Sequence, residues 1–183
     1  MTSKPPMRDL IVILPGILGS VLQKDGRDLW AVSGQAIWNI LRTGGNAVGD
    51  LKVQQDDPDA ENLDDGIRAT RLVENVSIIP GLMKIDGYTD ATRTIVNNFS
   101  NVTQGDIYND PDDQAANFYH FPYDWRRDNQ VAAKILKRLL DKRLKCWREH
   151  SGNPNAKVSL LAHRMGGVIS RYYLEVLGGW TDC

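Results

Sequence analysis

Short runs that are apolar throughout alternate along this chain with longer stretches in which apolar residues recur at helical spacing. The first run, Leu10-Ile11-Val12-Ile13-Leu14, is rich in β-branched side chains and suits a strand buried on both faces of a parallel sheet. It stops at Pro15-Gly16, and Gly19-Ser20 follow. Phe118-Tyr119-His120-Phe121, ended by Pro122, reads as a second buried strand, and Val158-Ser159-Leu160-Leu161-Ala162 as a third core strand. Between them, from Asp128 to Glu149, lies the clearest helix. Val131, Ala132, Ile135, Leu136, Leu139, Leu140, Leu144 and Trp147 repeat with its period, and lysines and arginines fill the opposite face. Asp128 at its start and basic residues toward its end suit the helix dipole. Gly166 to Leu177, closed by Gly178-Gly179, predicts another helix. Thr89 to Phe99 predicts a shorter one with Ala91, Ile95, Val96 and Phe99 on one face. Strand, helix, strand, helix in this order predicts an α/β domain with a mostly parallel sheet flanked by helices.

Other segments are weaker. Asp28 to Leu41, with Leu29, Trp30, Ile37, Trp38, Ile40 and Leu41, reads as helical and ends at Gly44-Gly45, and Ile67 to Val73 reads as a short strand. The acidic stretch Asp56 to Gly66 misses the register of a calcium loop and reads as a solvated loop. No repeat, low-complexity tract or linker divides the chain, so residues 1–183 are expected to form one domain.

Composition narrows the chemistry. With 42% apolar residues, 25% charged residues and a net charge of −1, the chain is an ordinary globular one without the basic stripe of a nucleic-acid binder. No apolar run reaches about 18 residues, so no membrane span is expected. The N-terminus shows no secretory apolar region, which predicts a cytoplasmic protein and makes the sequons at Asn75, Asn98 and Asn101 chance matches. Cys146 and Cys183 have no metal-ligand spacing. Gly16-x-x-Gly19 lacks the Lys-Ser/Thr of a P-loop and the third glycine of a dinucleotide fingerprint. No metal or cofactor is expected.

The informative stretch is Ala162-His163-Arg164-Met165-Gly166-Gly167, where a strand runs into a tight turn and a helix begins at once. Such a turn lifts one side chain above the sheet edge, and small residues two before and two after it, Ala162 and Gly166, let strand and helix approach. The helix N-terminus offers a backbone N–H to a developing oxyanion. A plain strand–turn–helix with a packing glycine accounts for the same pattern.

Together with Ile11-Val-Ile-Leu-Pro15-Gly16-Ile17-Leu18-Gly19-Ser20 and Phe121-Pro122-Tyr123-Asp124-Trp125-Arg126, this stretch resembles the lecithin:cholesterol acyltransferase-like branch of the α/β-hydrolases, which includes phospholipid:diacylglycerol acyltransferases and related bacterial lipases. The resemblance runs from about residue 8 to the end and implies serine-based acyl transfer on lipid esters. It implies oxyanion donors at the backbone N–H groups of Ile17 and Met165. It also implies a lipid-facing lid over about residues 28–66, around Trp30 and Trp38, for which ordinary aromatic packing is the alternative. Asp124, Trp125 and Arg126 read as structural, with Asp124 or Arg126 capping or pairing near the following helix.

The resemblance breaks at the nucleophile. The family has serine where this chain has Arg164, and a guanidinium carries donors only and stays protonated, so it cannot attack an ester. Ser159 lies in the strand and Ser170 more than a turn into the helix, so neither substitutes. The family's acid and base follow the nucleophile, whereas His120, His150 and His163 all precede Arg164, with only Glu175 and Asp182 after it. The chain therefore reads as the N-terminal part of the catalytic domain, expected to be inactive. Two alternatives stand beside this reading: a non-catalytic lipid-binding or acyl-binding module in which Arg164 engages an anionic head group, and self-association through an unpaired sheet edge.

Overall fold

β1 (Leu10–Leu14) runs through the interior of a four-stranded sheet in the computed structural model, which describes residues 3–31, 53, 56, 57, 60, 63–74, 76–79, 83–85 and 87–183. Its neighbours are β8 (Phe118–His120) on one side and β9 (Val158–Ala162) on the other, with β7 (Gln104–Asp106) beyond β8, all parallel. Val12 stands opposite Tyr119 on one side and Leu160 on the other. Because side chains alternate along a strand, β1 feeds two cores. Leu10, Val12 and Leu14 pack with α2 (Asn129–Ser151) and α3 (Met165–Glu175) through residues such as Leu136, Leu140, Ile169 and Tyr173. Ile13 faces the other way, with Met7, Leu72, Phe118 and Ile95 of α1 (Thr89–Asn98). Both faces of the sheet are covered, as the unbroken apolar run of β1 predicts.

Three of the predicted helices, over Thr89 to Phe99, Asp128 to Glu149 and Gly166 to Leu177, form close to their expected bounds. In α2 the Asp128 carboxylate accepts from Gln130 N–H at 2.8 Å, and Gly152 ends the helix at φ 66°. Two details differ. Val96 of α1 is exposed, because it lies about 100° around the helix from the buried Ile95. Arg143, expected on the solvent face of α2, is 1% exposed. Its guanidinium donates to the carbonyls of Asp106, Ile107, Asp110 and Pro111 at 2.8–3.3 Å. Residues 107–117 carry the chain from β7 to the adjacent parallel β8 without a helix; Asp106 O and Pro111 O each accept one N–H within the segment, and the guanidinium supplies the further donors.

A second, antiparallel sheet comprises β2 (Ser20–Lys24), β3 (Arg27–Trp30) and β4 (Ile67–Leu72), and β5 (Val76–Ile79) pairs with β6 (Met83–Ile85). Asp25 and Gly26 turn between β2 and β3 at φ 50° and 75°, the two positive values that an Asp-Gly hairpin favours. That turn overrides the helical reading of Asp28 to Leu41 at its start, since Asp28 to Trp30 are strand. The rest of that reading, Trp38 included, and most of the lid-like stretch 28–66 lie outside the described residues. β9 also departs from expectation. It is an edge strand, with Ser159, Leu161 and Ala162 exposed, because no described strand lies beyond it. No described helix is long and apolar enough to cross a membrane.

Candidate functional site

In an open parallel sheet, the crevice outside the carboxyl ends of the strands is where connections leaving to opposite sides make room for a ligand. Here the chain reaches β8 on one side of β1 and β9 on the other, so the crevice lies past Leu14. All three motif segments end there.

The turn between β9 and α3 places Arg164 at φ 49° and ψ −111°, a backbone state that costs a side chain about 1–3 kcal/mol. His163 N–H extends the ladder to Leu14 O at 3.0 Å, and the turn tightens through Gly166 N–H to His163 O and Gly167 N–H to Arg164 O. A Cβ on Gly166 would sit 2.7 Å from the carbonyl oxygens of Leu14 and Pro15, so only glycine lets α3 seat against the end of β1. A Cβ on Gly167 would meet nothing within 4 Å, so no packing constraint requires glycine there. Ala162 and Arg164 are exposed at the edge.

The Pro15–Gly19 loop lies directly against this turn. A Cβ on Gly16 would stand 3.2 Å from His163 Nδ1 and 3.4 Å from Arg164 Cβ. Gly19 N–H closes the loop on Gly16 O at 3.0 Å, and Leu18 takes φ 63°. The N–H groups of Ile17 and Met165, the two expected oxyanion donors, donate to no described residue. The Ile17 side chain is half exposed.

Tyr123, Trp125 and Arg126 hold the loop from the other side. Tyr123 N–H donates to Ser20 Oγ at 3.0 Å, Tyr123 Oη to Pro15 O at 2.9 Å, and Trp125 Nε1 to Ser20 O at 3.0 Å. Trp30, a lid candidate, donates from Nε1 to Leu18 O at 3.0 Å and meets Trp125 edge-on at 5.8 Å. The Arg126 side chain is 2% exposed and forks onto Asp124 at 2.5 and 2.8 Å, with a further bond to Asp65 at 3.0 Å. Arg127 reaches Asp56 at 3.0 Å and the carbonyls of Asp57 and Ala60. The acidic stretch expected to be a solvated loop is therefore docked at Asp56, Asp57, Ala60 and Asp65, because two guanidinium groups drawn out of water need these carboxylates and carbonyls. Burial acts to raise the Asp65 carboxyl, but Ile67 N–H, Arg126 and Lys24 hold it below the ordinary carboxylate range.

Each imidazole of the chain is engaged. His120 Nε2 meets Thr92 Oγ1 at 2.8 Å, and burial pushes that imidazole's pKa down. His150 stacks on Trp147. His163 Nδ1 lies 3.0 Å from Tyr88 Oη, which accepts from Gly16 N–H at 2.7 Å. Ser170 is buried and donates to Gly166 O at 2.8 Å. Tyr88, Ser20 and Asp65 were not singled out from the sequence. Their partners lie tens of residues away, and only a tyrosine directly before a helix start hinted at the first.

Residues 93–183 match the lecithin:cholesterol acyltransferase family, a span that holds both the Phe121–Arg126 segment and the strained turn. No curated protein and no solved structure matches the chain. The match thus rests on the half of the molecule that carries β8, β9 and α3, and through it the chain belongs to the lecithin:cholesterol acyltransferase family, its parallel sheet a partial α/β-hydrolase fold.

Proposed function

We propose that this chain retains the lipid acyltransferase and lipase scaffold of its family without the acyl-transfer step. One observation carries the reading: Arg164 occupies the positive-φ turn between β9 and α3, the place where the family presents its serine. In the serine reaction the hydroxyl oxygen bonds to the acyl carbon, its proton passes to an imidazole, and the imidazolium hands that proton to the ester oxygen as its bond to the acyl carbon breaks and the alcohol departs. The Ile17 and Met165 N–H groups would hold the intermediate oxyanion. A guanidinium offers no lone pair for the first bond. His120 Nε2 and His163 Nδ1 are engaged by Thr92 and Tyr88, and His150 lies toward the far end of α2, beside Trp147 that bonds Arg8 O ahead of β1, which supports the absence of a proton acceptor for any hydroxyl installed at 164.

The test is labelling by a fluorophosphonate, which traps activated serines. The wild-type chain and Arg164→Ser are both expected to stay unlabelled and to leave lipid esters intact. Stoichiometric labelling of wild type overturns the reading, and ester hydrolysis by Arg164→Ser overturns the part that concerns the imidazoles. A binding role is favoured by the exposed cation at the turn that bears Met165 N–H and packs on the loop that bears Ile17 N–H, both without a partner among the described residues. Affinity for anionic phospholipid vesicles that falls on Arg164→Ala would select it, and affinity indifferent to that change would remove it.

A further inference from the structure

We propose that Tyr88 is the positioning residue of this crevice: its hydroxyl takes a hydrogen bond from Gly16 N–H, gives one to His163 Nδ1, and so locks the Pro15–Gly19 loop against the strained turn. The inference goes beyond the functional reading, since it concerns how the loop is held whatever side chain stands at 164.

Tyr88 is anchored through its backbone. Its N–H donates to Val73 O at 3.0 Å, just past β4, and its carbonyl accepts from Thr92 N–H at 3.0 Å in the first turn of α1. From that base the half-buried phenol reaches between two segments 72 and 75 residues away in sequence. Its ring meets the His163 imidazole edge-on at 6.0 Å. The fit also explains the Gly16-x-x-Gly19 spacing, which no phosphate or nucleotide reading absorbed. A Cβ on Gly19 would lie 2.8 Å from Tyr88 Oη and 2.7 Å from Pro15 Cβ, so a side chain there would displace the hydroxyl.

The proton arrangement follows from the donor inventory. Gly16 N–H can only donate, so Tyr88 Oη is its acceptor, and the phenolic proton must go elsewhere. Among the described residues His163 Nδ1 is the acceptor within reach, and the nearby Arg164 has donors only. Burial pushes the Tyr88 pKa up, against the opposing influences of Gly16 N–H and Arg164, so the phenol keeps its proton at neutral pH. In this arrangement Nδ1 is the accepting nitrogen of His163 and the ring hydrogen sits on Nε2.

Nitrogen NMR on histidine-labelled wild-type protein at neutral pH tests this directly. Nδ1 should report as the unprotonated, hydrogen-bond-accepting nitrogen and Nε2 as the protonated one; the reverse assignment overturns the proposal without any variant. In Tyr88→Phe the tautomer preference should be lost and Gly16 amide exchange should accelerate about tenfold, the order expected for one lost hydrogen bond. His163→Ala should instead leave Gly16 protected, because its bond to the phenol remains. A purely structural tyrosine would change the melting temperature and leave the His163 nitrogens as they were, and that outcome also overturns the proposal.

Discussion

Arg164 occupies backbone angles that only glycine adopts without strain, and it does so on an exposed turn where its side chain makes no described hydrogen bond. Replacing it by glycine should relieve about 1–3 kcal/mol of strain and return part of that gain to the freer unfolded chain. The expected net is about 1 kcal/mol of added stability, or roughly 2–4 °C in melting temperature for a chain of this size. A lower melting temperature for Arg164→Gly would show that the turn is not strained. The position of this residue was legible in the sequence because small residues two places either side constrain the turn locally. Tyr88 was not legible, since nothing near it in sequence indicates the loop it meets. Arg143 was misread for a related reason. A helical period assigns a face to a residue, but a long side chain can carry its charge inward when main-chain carbonyls converge there.

The turn Trp125-Arg126-Arg127 works as a clamp between elements. Trp125 and Trp30 tie β3 to it, while Arg126 and Arg127 tie the segment holding Asp56 and Asp65 that leads into β4. Asp65 also accepts from Ile67 N–H at 2.9 Å, the first residue of β4. Because its carboxyl sits below the ordinary value in the folded chain, the stabilisation is complete above the unfolded value of about 3.9 and is lost as pH falls through the folded one. Protection of the Ile67 amide, corrected for its intrinsic exchange rate, should therefore fall below about pH 4. Asp65→Asn should show the loosened state already at neutral pH. Equal protection in both proteins would rule out the clamp. Elements with strong local signals, β1, α1, α2 and α3, were predicted close to their observed bounds. β3 was missed because the aromatic and aliphatic residues after Asp28 suggested a helix while the Asp25-Gly26 hairpin signal went unweighted.

Across the molecule, helices cover both faces of the parallel sheet, but its two edges are closed unequally. At the start of β9, Val158 N–H turns outward and donates to Asp182 O at 2.7 Å, while Lys157 N–H is held by Asp9. Alternation then leaves the N–H and C=O groups of Leu160 and Ala162 on the outer edge, beside the exposed Leu161. Concentration-dependent association through this short edge is expected, and Leu161→Lys should suppress it. Sedimentation that shows one monomeric species at every concentration would refute this. At the opposite side, the Arg143 guanidinium sits among four main-chain oxygens much as a metal ion sits in a chelating ring, bound to ligands that neither gain nor lose protons in acid. The fold thus carries two kinds of fastening, one released by acid at Arg126 and one indifferent to it, and under progressive acidification the antiparallel sheet of β2, β3 and β4 should loosen from the Trp125–Arg127 turn while Arg143 keeps its hold on the carbonyls between β7 and β8.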